Sequence, residues 1–128
     1  MSYYFNKYSD SDFNETVEKT IAELKKEGFG VLTEIDVKQT LKKKLNVDFL
    51  PYRILGACNP PYAYQALQAE DKIGTMLPCN VIVRETEDGK IEVAAIDPLE
   101  SMRAVDNPTL QEIAEEIREK LKKVVDRI

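Results

Sequence analysis

Residues 79–97 read CNVIVRETEDGKIEVAAID, and this stretch decides the fold class. Two runs rich in Val, Ile and Ala flank Asp88-Gly89, a dipeptide that signals a tight hairpin between neighbouring strands. A hairpin turn fixes the register of the pair. Counting back from Glu87 opposite Lys90 sets Val83 opposite Ala94, Val81 opposite Ile96 and Asn80 opposite Asp97. Cys79, Val81 and Val83 are then expected to share the core face with Ala94 and Ile96. Pro98 stops the second strand level with Cys79, which puts that thiol at a sheet end on the buried side.

Moving outward, residues 49–57 read as a strand, with Pro51 near its start and Tyr52, Ile54, Gly56 and Cys58 on one face. Asn59-Pro60 then opens a short helix through Tyr62, Ala63, Ala66 and Leu67, with Asn at the cap and Pro at the first helical position. Backbone amides at that start are expected to point toward Cys58 and favour its thiolate. Residues 72–77 form a loop pivoting on Gly74. Further back, Asp12 and Glu15 form a capping box ahead of Phe13, Val17, Ile21 and Leu24, the stripe of an amphipathic helix that Gly28 ends. Alternation across residues 2–8 predicts a first strand; Phe29, Val31, Thr33, Ile35 and Val37 predict a second. Asp36 and Gln39 cap a shorter helix bearing Val37, Leu41 and Leu45 on one face. Lys38, Lys42, Lys43 and Lys44 cover the rest of it as a solvated surface rather than an anion patch. Past the hairpin, residues 99–106 are a connecting arm. Asn107-Pro108 or Thr109 caps a long final helix with Leu110, Ile113, Ala114, Ile117, Leu121, Val124 and Val125 inward. Helices alternating with strands, plus one certain hairpin, indicate an α+β domain rather than a doubly wound parallel sheet. Only the hairpin fixes which strands are neighbours.

The 128 residues suffice for one domain, 1–128, with an ordinary core. A hydrophobic fraction of 43% excludes disorder. A formal charge of −5 argues against nucleic acid as a main partner. No apolar run approaches the length of a membrane span, and the first residues lack a signal peptide's blocks. The expectation is a cytoplasmic protein with reduced thiols. A charged fraction of 32%, few glycines and no Trp lean toward heat stability.

The runs Tyr52-Arg53-Ile54-Leu55-Gly56-Ala57-Cys58-Asn59-Pro60, Ala66-Leu67, Ile73-Gly74 and Leu77-Pro78-Cys79-Asn80-Val81 resemble the signature of a bacterial and archaeal family. That family is known only as the domain of unknown function numbered 302. The resemblance runs over most of the chain. It implies a curved, mainly antiparallel sheet with helices packed on one side, similar to TATA-box-binding-protein-like domains, and a homodimer. It implies no reaction, substrate or cofactor.

The two Cys-Asn pairs are a near-echo, and together they define a candidate binding site of Cys58, Asn59, Pro60, Pro78, Cys79, Asn80 and Asp97. A structural reading stands beside the functional ones: buried cysteine packs as a small hydrophobe, and Asn and Pro serve as turn and cap residues. Of the functional readings, a small ligand bound at the double motif ranks first. Thiol-based redox or sulfur chemistry ranks second, with Cys58 as the reactive group and Cys79 as its partner. A metal site built on both cysteines and Asp97, with Asn80 a weaker candidate, has three plausible ligands, would need water or a second subunit to complete it, and ranks lower, alongside a protein-interaction role. The absence of histidine excludes Ser-His-Asp catalysis and His-based metal sites. The balance leans away from an enzyme, and no cofactor is named.

Overall fold

The computed structural model describes residues 2–128. Its elements run β1 (Tyr4–Ser9), α1 (Phe13–Lys26), β2 (Gly30–Asp36), α2 (Val37–Leu45), β3 (Tyr52–Cys58), α3 (Pro60–Ala69), a 3-10 turn (Ile73–Met76), β4 (Cys79–Glu85), β5 (Ile91–Ile96), α4 (Pro98–Ser101) and α5 (Pro108–Asp126). All strand pairs are antiparallel, in the order β1-β5-β4-β3-β2. The fold is α+β, with an open five-stranded sheet and helices packed on it.

The first helix forms where its capping signal stands, with Asp12 accepting a 2.8 Å hydrogen bond from the Glu15 N–H. Gly28 ends it at φ +89, a left-handed conformation that favours glycine. Asp36 likewise caps α2 through the Gln39 N–H, and Asn107 caps α5 through that of Leu110. β1 and β2 are consecutive in the chain yet hold opposite edges of the sheet. α1 must therefore cross it, and it touches β2, β4 and β5 on the way. Four strand spacings amount to about 19 Å. The 14 residues of α1 span about 21 Å, so its length matches the crossing.

The core lies on that face. Val17 and Leu24 of α1 meet Leu55, Ala57, Cys79, Val81, Val83, Val93 and Ala95 of the sheet and the buried stripe of α5. Here the expected hairpin register is corrected by one residue: Val81 faces Ala95, and Val83 faces Val93. The loop has three residues rather than two. Thr86 donates to the Lys90 carbonyl, Gly89 donates back to Thr86, and Gly89 lies at φ +82. This is the geometry of a turn followed by a left-handed residue. Ala94 consequently turns to the other face, whereas Ile96, at the strand's end, borders the groove there and still packs against the core. The expected stripe on β2 is also broken. Register slips between Val31 and Thr33, so Leu32 is an extra, bulged residue. Phe29 and Val31 pack on the core, whereas Ile35 faces Ile54 on the other side, and Val37 already belongs to α2. The arm after the hairpin contains α4, capped by Asp97. No helix among the described residues is long and apolar enough to cross a membrane.

Candidate functional site

The end of β3, the start of α3 and the entry to β4 converge at one end of the sheet, with α5 packed over them. Between them lies a cavity of about 250 Å³. Ala57, Cys58, Leu77, Pro78 and Cys79 line it from the sheet end, and Asn59, Ala63, Ala66 and Leu67 from α3 and its cap. Phe29, Leu32, Met102, Ile113 and Ile117 complete the wall. Nearly all of these groups are apolar. Small residues on α3 at a spacing of three leave the volume that larger side chains would fill.

Of the seven residues singled out from sequence, the structure gathers Cys58, Asn59, Pro78 and Cys79 around this cavity. Pro60 begins α3 just outside it and is exposed. Asn80 is also exposed; strand alternation carries it to the other face of the sheet, where it lines a different groove. Asp97 is buried elsewhere: it caps α4 through the Leu99 N–H and pairs with Arg118 Nε at 3.2 Å. Because the register differs by one, Asn80 does not face Asp97.

Asn59 occupies the cap position of α3 but makes no cap hydrogen bond. Its Nδ2 instead donates to the Glu27 carbonyl at 3.1 Å, tying α3 to the end of α1. A cap side chain accepts from the second or third helical N–H; Pro60 and Pro61 have none, which leaves only the Tyr62 N–H, and Asn59 does not use it. Two of the amides expected to stabilise a Cys58 thiolate are likewise missing, since Pro60 and Pro61 carry no N–H. Carbonyls at the end of α1, by contrast, need donors.

Both cysteines are free, and they are not a bonded pair. Ala57, not Cys58, is the cross-strand partner of Cys79, so the two cysteines are offset by one position on neighbouring strands while both border the cavity. Burial, and secondarily the charge of a Cys58 thiolate, pushes the Cys79 thiol up to about 11. At neutral pH Cys79 is therefore a neutral, apolar wall group. No group of three or more His, Cys, Asp or Glu side chains among the described residues is placed to hold a metal ion. Met102, on the arm read from sequence as a connector, is fully buried in the wall; no periodic pattern marks it.

The family model described as "Domain of unknown function DUF302" matches residues 5–128. The crystal structure of an uncharacterized conserved DUF302 protein from Bacillus stearothermophilus is 32% identical to this chain. The two superpose with a TM-score of 0.92, over 99% of this chain and 98% of that one. No curated protein matches the chain.

Proposed function

The chain belongs to the DUF302 family, which carries no assigned reaction, and on that footing we propose that it binds a small, largely apolar ligand in the cavity beneath α3 and α5. The observation that carries this reading is the convergence of Cys58, Asn59, Pro78 and Cys79 on one apolar-walled space of about 250 Å³. Apolar cavities of about 150 Å³ take up benzene, so this one has room for a fused bicycle or a short branched chain. Asn59 stands at the edge as the polar group that orients the occupant. The readings based on thiol chemistry have less support, because Cys79 is held as a neutral thiol and α3 offers no free amide at its first two positions. Free thiols accord with a reducing, cytoplasmic setting.

Toluene titrated into isotopically labelled protein tests the reading. Saturable shifts confined to the methyls of Leu67, Ile113 and Ile117 are expected. Ala66→Leu fills the space and should abolish those shifts while changing stability by less than about 2 kcal/mol. Shifts scattered over the surface, or unchanged in the filled variant, would refute it.

A second reading concerns partners. Leu45, Val47, Phe49 and Leu50 are all more than a third exposed within six residues, and monomers rarely leave such a patch uncovered. We read this run as the surface through which two copies associate.

A further inference from the structure

The face of the sheet away from the helices carries a groove of about 350 Å³. Its construction follows from the register. Tyr52 is directly opposite Arg84, and Arg84 is directly opposite Glu92; in the adjacent row Ile54 is opposite Ile82, Ile82 opposite Ala94 and Ala94 opposite Asn6. Ile82 and Ala94 form the floor, with Tyr52 at one corner and Tyr3 and Tyr4 at the diagonal corner.

Among the described residues, Arg84 and Glu92 are the only charged groups lining the groove. Glu92 is 7% exposed, unusually buried for an acid. It is held from both sides: Asn6 Nδ2 donates to Oε2 at 2.8 Å and Arg84 Nε to Oε1 at 2.7 Å. That bond fixes the guanidinium by its Nε alone. The only hydrogen bond and ion pair of the Arg84 side chain among the described residues run through Nε, which leaves its two terminal nitrogens free of both. A planar fork of two donors, locked by a buried carboxylate and set beside a tyrosine ring over an apolar floor, matches a carboxylate carried on a flat apolar body. A phosphate dianion fits less well, because no lysine and no second arginine among the described residues lines the groove to balance it.

We propose that this groove is a second ligand site, separate from the helix-side cavity, and that it takes a planar, aromatic-type carboxylic acid as its monoanion. Arg84 holds the carboxylate, Ile82 and Ala94 support the ring, and Tyr52 stacks on it. Glu92 and Asn6 are positioning residues.

Benzoate is the probe, followed by NMR at the Ile82 and Ala94 methyls, with benzyl alcohol and inorganic phosphate as comparisons. Benzoate should give saturable shifts at both methyls, and each comparison compound should bind at least tenfold more weakly. Arg84→Lys keeps the charge opposite Glu92 but loses the fork, and should weaken benzoate at least tenfold. If burying Glu92 against lysine unfolds the protein, the paired variant Arg84→Met with Glu92→Met removes both charges together and should weaken benzoate equally. Toluene shifts in the helix-side cavity should be unchanged in either variant, which separates failure of this site from failure of the first. Benzoate binding equal to that of benzyl alcohol, unchanged binding in Arg84→Lys, or a face closed to benzoate by a second copy in solution would each overturn the assignment.

Discussion

Gly56 is a glycine because two side chains already occupy the place of its Cβ. A methyl group there would overlap Thr33 Oγ1 and come within 2.8 Å of Pro78 Cγ. Neither neighbour can retreat easily, since Thr33 lies in β2 and Pro78 leads into β4. Gly56→Ala should therefore cost about 1–3 kcal/mol in urea unfolding, the usual price of overpacking. Adding Thr33→Ala should recover only part of it, because Pro78 remains; full recovery would show that Pro78 gives way. At Cys79 the sign of the pH dependence is fixed by the direction of its shift. A raised folded pKa means that the folded state keeps the proton while the unfolded chain loses it. The neutral thiol thus costs nothing below about pH 9, and stability falls as pH climbs from about 9 toward about 11. The loss should approach about 2–3 kcal/mol. Other groups titrate there too, so the measurement is the difference between wild type and Cys79→Ala across that window. Parallel curves would contradict a buried thiol.

Among the elements, those with local signals were legible and those set by contacts at a distance were not. The caps at Asp12, Asp36 and Asn107, the termination at Gly28 and the stripe of α5 follow from neighbours within four residues. The hairpin was legible as a hairpin but not in register, because Asp-Gly accommodates both a two-residue and a three-residue loop. One residue of slip exchanges the faces of β5 and moved Ala94 off the core side. Gly89→Ala should cost about 1 kcal/mol, since φ +82 strains any side chain with a Cβ; Gly89→Asn should cost less. The faces of β4 can be read by truncation. Val81, fully buried against Leu55 and Ala95, should lose about 2 kcal/mol on change to Ala, whereas Ile82 on the open face should lose under about 1 kcal/mol. Equal losses in urea midpoints would mean that the second face is covered in solution. The bulge at Leu32 had no local marker. Likewise, the proline pair that removes the first two amides of α3 was in plain view, but its consequence for Cys58 emerges only when helical positions are counted.

At the scale of the molecule, the sheet divides the chain into two chemically different sides. One side holds the core, with the helix-side cavity at its end; the other is a tyrosine-rich surface with one locked ion pair. The sequence pattern conveyed two such faces but could not say that β1 and β2 take opposite edges, since that depends on α1 having the length to cross. The same topology leaves α2 at the margin. Its stripe of Val37, Leu41 and Leu45 has no buried member, and the apolar run continues through Val47, Phe49 and Leu50, each more than a third exposed. An isolated two-fold association would cover this run on both copies at once. Sedimentation equilibrium of the wild-type chain should therefore give a dimer, and Leu45→Glu with Val47→Glu should give a monomer. Both positions are exposed, so the monomeric variant should unfold within about 0.5 kcal/mol of wild type when compared at concentrations where both are dissociated. A wild-type chain that stays monomeric at tens of micromolar, or a variant that stays dimeric, would remove this run from consideration and leave the open sheet face as the surface to test next.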